Sequence, residues 1–236
     1  MQALHEHLAK DGFRLRGTAM SRIDAFSDVV FGFAITLLVV SLEVPHTFLE
    51  LHQSLRGFIP FAICFLFLIL VWYSHYKFFR RYNLHDAGTI AINALLLFVV
   101  LFYVYPLKFL FTVLATGWLG GDPSAFGTAW QMRELMLLYG VGFTAIYLLF
   151  TALHWNAWRQ RRHLQLNPTE LFLTRSAMVE YSSIGFIGAL SCALLLIVSP
   201  DYTGTIGFTY FLIWPIAAIH GRWEQHRLRK LQPGHH

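Results

Sequence analysis

FAICFLFLILVWY at residues 61–73 and NALLLFVVLFYVY at residues 93–105 decide the fold of this chain. Both runs are continuously apolar, with no alternation of polar and apolar positions. A membrane-spanning strand would be short and two-faced, whereas a helix needs about 20 largely apolar residues to cross a hydrocarbon core of about 30 Å. Helices follow. The same rule applied along the chain gives six spans, at residues 24–44, 58–76, 89–114, 135–154, 178–198 and 205–220. The expected class is all-α, a polytopic membrane protein forming a single six-helix domain over residues 1–236.

The composition agrees. Of 236 residues, 56% are hydrophobic and 17% aromatic, while only 13% are charged. That is about half the charge of an ordinary soluble chain, too little to cover a water-exposed surface. Cys64 and Cys192 lie singly inside apolar runs and read as small buried side chains. Residues 1–17, MQALHEHLAKDGFRLRG, lack an apolar core followed by a small-residue cleavage site, so no signal peptide is expected.

The net charge of +5 is better explained by topology than by nucleic acid. Lys10, Arg14, Arg16 and Arg22 precede the first span, and Lys77, Arg80 and Arg81 follow the second. Arg159, Arg161, Arg162 and Arg175 follow the fourth, and Arg222, Arg227, Arg229 and Lys230 lie in the tail. Only Arg56, Lys108 and Arg133 fall on the other side. The positive-inside rule then puts both termini in the cytoplasm. Trp72, Trp118, Trp155 and Trp223 sit near span ends, as an aromatic belt requires.

Enzyme motifs are absent, and no paired carboxylates lie inside an apolar span, so no enzyme is expected. The histidines at 5, 7, 46, 52 and 85 have no Cys or carboxylate at ligand spacing, so no metal site is expected either. YGVGF at residues 139–143 superficially resembles a selectivity filter, but it lies inside a continuous span. Its glycines are expected to serve helix packing. The connection at residues 159–175, RQRRHLQLNPTELFLTR, is basic and is expected along the membrane surface.

The informative span is the first, SRIDAFSDVVFGFAITLLVVSLEVP at residues 21–45. Asp28 is anomalous because an ionisable group at the hydrocarbon edge is costly and faces protein or water with a partner. Depth brings Trp72 and His75 of the second span and Asn93 of the third near its level. An Asp28–His75 or Asp28–Arg22 pair would satisfy the charge. Two readings stay open, a carboxylate that locks helices together and one that meets a permeant species. At 100° per residue, Phe26, Val29, Phe33, Thr36, Leu37 and Val40 share one face, with Asp28 and Ile35 roughly opposite.

Arg22-Ile23-Asp24-Ala25-Phe26-Ser27-Asp28 resembles the RxxxFSD motif of the transmembrane protein 175 family of potassium channels. VFGFAITLLVVSLEVP at residues 30–45, the Trp72-x-x-His75 pair and the third span led by Asn93 are also similar to that family. The resemblance implies a tetramer in which the first helix lines the pore, with potassium ions as the permeant partner, the lipid bilayer as solvent and no cofactor. It also implies an apolar constriction at Phe33 with a further ring at Val40, and a selectivity layer at Thr36. Arg22, Phe26, Ser27, Asp28, Trp72, His75 and Asn93 would form a helix-packing network. At the constriction the family commonly carries Ile or Leu where this chain has Phe33.

The competing reading is a proton-conducting or proton-coupled transporter in which Asp28 and His75 relay protons. It requires Asp28 to face water and titrate.

Overall fold

The computed structural model describes residues 8, 9, 11–40, 47, 58–118 and 128–231, with the backbone alone at 111–118, 201 and 231. Among these residues the regular secondary structure is helical, apart from an isolated bridge between Leu8 and Arg14. Helices α1 (Arg22–Val40), α2 (Phe58–Tyr82), α3 (Ala87–Trp118), α4 (Ala129–Arg159) and α5 (Pro168–Ile197) form the bundle. Short turns over Pro200–Tyr202, Thr203–Ile206 and Gly207–Leu212 lead into α6 (Ile213–Leu231).

Four of the helices begin where the sequence supplies a cap. Ser21 and Asp24 exchange bonds at the start of α1, with Ser21 Oγ donating to Asp24 Oδ2 at 2.8 Å and Asp24 N–H donating to Ser21 Oγ at 3.1 Å. Asp86 accepts the Thr89 N–H ahead of α3. Thr128 with Gln131 and Asn167 with Glu170 form full capping boxes on α4 and α5. Asn83, at φ 49°, takes the left-handed conformation just after α2 and stops it there.

Five helices are long and apolar enough to cross a membrane: α1, α2, α3 over Ala87–Leu110, α4 and α5. They cover the first five expected spans, residues 41–44 of the first lying outside the described residues. Several are longer than expected. The capping box at Asn167 and the proline at Pro168 start α5 ten residues before the expected position 178, because the bilayer sets only a minimum length.

No single helix covers residues 205–220. Gly204 and Gly207 weaken the segment's start. Pro215 lacks the N–H a continuous helix would need, but costs little in the first turn of α6, where that N–H has no intrahelical partner.

The bundle packs α4 against α5 most extensively, then α3 against α4, with α1 lying on α2 and α3. Gly140 and Gly188 permit the α4–α5 approach. A Cβ at Gly140 would collide with Cys192 Sγ, and one at Gly188 would meet Thr144 and Phe143. The glycines of residues 139–143 are therefore packing glycines inside α4. One end of the bundle gathers three of the basic segments: Gly17 N–H donates to the Arg80 carbonyl at 3.1 Å, and Arg16 donates to Leu164 O at 3.0 Å.

Candidate functional site

Helix α1 has two faces. Ser27, Phe31, Ala34 and Leu38 are buried at helical spacing against α2 and α3. On the far side Phe26, Val29, Phe33, Thr36 and Val40 form an exposed stripe, Phe33 being 56% and Val40 73% accessible. From Phe33 to Thr36 the axis rises about 4.5 Å, slightly less than one turn. The Thr36 hydroxyl donates to the Gly32 carbonyl at 2.9 Å. Its proton is thereby committed to the helix, and the oxygen presents only acceptor capacity outward.

The opposite face is fastened by side-chain bonds. Trp72 donates its indole N–H to Asp28 Oδ1 at 2.8 Å. Asn93 donates its amide to Ser27 Oγ at 3.0 Å, and its carbonyl oxygen lies 2.8 Å from His75 Nε2. Because that oxygen can only accept, Nε2 carries the proton. Ser27, His75 and Asn93 are all buried, and the His75 ring packs edge-on against Phe31 with centroids 5.5 Å apart. A bond of this kind contributes about 1 kcal/mol between helices in a bilayer. Breaking it leaves a stranded polar group that costs about 1–3 kcal/mol.

Two expectations change here. Asp28 pairs with neither His75 nor Arg22: its hydrogen bond is to Trp72, while His75 bonds Asn93. Matching depth fixes a residue's level but not its rotation about the helix axis, and His75 points into the bundle. Arg22 and Phe26 also stand outside the fastened face. Both are exposed, and Phe26 continues the outward stripe of Val29 and Phe33 at helical spacing.

The match with known proteins is extensive. A potassium channel of Marivirga tractuosa is 42% identical over 231 residues, covering 93% of this chain and 93% of the relative. The chain belongs to the TMEM175 potassium channel family. The family described as "Endosomal/lysosomal potassium channel TMEM175" matches residues 22–103, which hold α1, α2 and the polar bonds between α1, α2 and α3. A second relative, a potassium channel of Chamaesiphon minutus, is 38% identical over 93 residues, 36% of this chain and 46% of that one.

Among solved TMEM175 structures, a variant of the potassium channel MtTMEM175, bound to a nanobody fusion, superposes with a TM-score of 0.83 and 40% identity. It covers 93% of this chain and 99% of that one. The lysosomal potassium-selective TMEM175 homologue from Chamaesiphon minutus superposes with a TM-score of 0.54 and 26% identity, over 84% of this chain and 96% of that one. The family is one of ion channels, not enzymes.

Two polar clusters outside the TMEM175 motif went unread in the sequence. Glu170 is fully buried and accepts from Arg14 Nη2 at 3.0 Å and Arg16 Nη2 at 2.9 Å, tying the N-terminal segment to the start of α5. Beside it Arg81 pairs with Asp11 and stacks on the Phe13 ring at 4.8 Å. Asp86 accepts from Thr89 Oγ1 at 2.6 Å, Gln160 at 2.8 Å and Asn156 at 3.1 Å, tying the α2–α3 connection to α4. Burial pushes the Asp86 carboxyl up, but the bonds from Thr89, Gln160 and Asn156 outweigh it and hold the group well below the usual carboxylate range. The local signals were capping patterns, NPTE at residues 167–170 and DAGT at residues 86–89.

Proposed function

We propose that this chain is a potassium-selective leak channel of the cell membrane, built as a tetramer of six-span subunits with both termini cytoplasmic and α1 lining a central pore. In this reading Phe33 forms the constriction, Val40 a further apolar ring and Thr36 the selectivity layer between them. The sixth crossing is made by the broken segment from Pro200 into α6. The whole chain acts as one channel domain.

The observation that carries the reading is the division of α1 into a fastened face and an open one. Ser27 and Asp28 are bonded to α2 and α3, which fixes the rotation of α1. Phe33, Thr36 and Val40 are then left directed away from their own subunit. Brought together around an axis, such stripes narrow a pore until water is unstable between the phenyl rings, and small outward motions of α1 rewet it. The Thr36 oxygens, with their protons already given to Gly32, offset part of the cost of dehydrating a cation. From Phe33 to Val40 the helix carries no charged side chain.

The test is ion flux from proteoliposomes loaded with potassium, in a bath holding only a bulky cation, with a protonophore and a pH-sensitive dye reporting the diffusion potential. Protein-dependent flux that disappears when sodium replaces internal potassium supports the channel. Collapse of a pH gradient without any potassium signal would instead support proton transport through Asp28 and His75.

A further inference from the structure

A groove of about 480 Å³ separates the first turns of α5 from α6, and its lining comes from those two helices and not from α1. Its walls carry Phe172 and Val179 from α5 and Trp223 from α6, with the Phe172 and Trp223 rings 5.4 Å apart. Arg175, Arg227 and Lys230 surround them. Among the described residues none of these three cations is ion-paired to a carboxylate. Arg175 lies over the Trp158 ring at 4.5 Å and Arg227 over Trp223 at 6.0 Å. The nearby acid, Glu224, accepts from the Ser176 hydroxyl, which also sits 3.1 Å from His220 Nε2.

The position of the groove is as informative as its lining. Helix α5 has 30 residues, about 45 Å of helix against a hydrocarbon core of about 30 Å. Its excess lies at the basic end, before position 178. The groove therefore straddles the polar–apolar boundary, with Val179 on the apolar side and Arg175 on the polar side. Water alone would suit the cations but not the Phe172–Trp223 wall, and a neutral lipid would suit the wall but leave the cations without a counter-charge.

We propose that this groove binds an anionic phospholipid, its headgroup phosphate held by Arg175, Arg227 and Lys230 and an acyl chain laid along Phe172, Val179 and Trp223. Basic pockets between helices at the cytoplasmic face recognise acidic headgroups in this way. The site couples the C-terminal helix to α5 through lipid, so the composition of the inner leaflet sets how firmly α6 is held. The inference needs the chain to be embedded in a membrane but does not depend on conduction.

Non-denaturing mass spectrometry of the full-length protein, extracted from liposomes of equal phosphatidylglycerol and phosphatidylcholine, tests it without any flux measurement. Wild type is expected to retain phosphatidylglycerol over phosphatidylcholine, and each groove cation removed to reduce that preference about fivefold. R227Q/K230Q is the main variant, because R175Q also loses the stack on Trp158 and risks a folding defect. R222Q/R229Q, on the same helix outside the groove, is expected to behave as wild type. Equal retention of both lipids by wild type, or an undiminished preference in R227Q/K230Q, would overturn the proposal. So would displacement of the lipid by inorganic phosphate, which would assign the cations to a free anion. A change of oligomeric mass in R227Q/K230Q with lipid retention intact would assign the groove to a second copy of the chain and overturn it equally.

Discussion

Trp72 donates its indole N–H to Asp28 at 2.8 Å, joining α2 to the base of α1. The carboxylate is thus a fastening point between helices, with its partner on the neighbouring helix of the same chain. Such a bond between helices contributes about 1 kcal/mol in a bilayer. Trp72→Phe keeps the aromatic bulk and removes only the donor. It should lower the thermal midpoint of the detergent-solubilised protein by several degrees, since about 1 kcal/mol moves a protein of this size by about 2–4 °C. Asp28→Asn should show a smaller loss because an acceptor oxygen remains. Potassium flux normalised to folded protein should survive in both. Abolished flux in a normally folded Asp28→Asn would favour the proton-relay reading.

Phe33 and Thr36 sit close to one turn apart on the open face, and their substitutions should separate conductance from selectivity. Phe33→Ala removes the phenyl ring next to Thr36 and should raise potassium flux severalfold with a loss of discrimination against sodium. Thr36→Ala should leave folding intact, because its hydroxyl bonds only its own helix at Gly32. It should reduce potassium over sodium preference, whereas Thr36→Ser should restore it. Flux ratios with potassium and sodium inside matched liposomes check both. An unchanged ratio in Thr36→Ala would remove the threonine layer from the mechanism.

Asp86 offers a pH test. Its folded pKa lies below the unfolded value of about 3.9, so the folded state binds protons less readily than the unfolded chain. The stabilisation is fully present above the unfolded pKa and is lost as pH falls through it towards the folded value. Asp86→Ala should therefore unfold at a lower temperature than wild type at pH 7. The difference should shrink as the buffer is taken below about pH 4. Midpoints measured for both proteins across that range decide it, and a constant gap would mean that the carboxylate charge contributes nothing.

Much of the architecture was legible because the bilayer imposes a length on apolar runs, and residues 61–73 and 93–105 leave no other solution. The outward face of α1 was legible too, once Asp28 supplied a reason for the opposite face to turn inward. The partner of Asp28 was not. Trp72 and His75 sit within one turn of each other on α2, and only packing decides which of them reaches Asp28. The broken segment before α6 escaped for a different reason. Gly204 and Gly207 leave average hydropathy high while weakening helix geometry. Glu170 and Asp86 escaped because their local patterns announce only a helix start, while their decisive partners, Arg14 and Asn156, are remote in sequence.

Glu170 gives the strongest stability prediction. It is fully buried and faces both Arg14 and Arg16, so Glu170→Gln leaves two guanidinium groups beside a neutral amide. Removing one partner of a buried charge cluster costs about 3–5 kcal/mol, an upper figure here because both arginines are partly exposed. The N-terminal segment is attached through this cluster, through the Phe13 side chain under Arg81 and through Gly17 on the Arg80 carbonyl. Loss of the charge should therefore detach residues 8–17 before it unfolds the bundle. Limited trypsin digestion is the direct measurement. Cleavage after Arg14 and Arg16 should be slow in wild type and at least tenfold faster in Glu170→Gln, about 1.4 kcal/mol of local opening, while the helical core resists. Glu170→Asp, with the charge kept and the reach shortened, should fall between. Equal cleavage rates in all three would show that Phe13 and the backbone bonds hold the segment without the carboxylate.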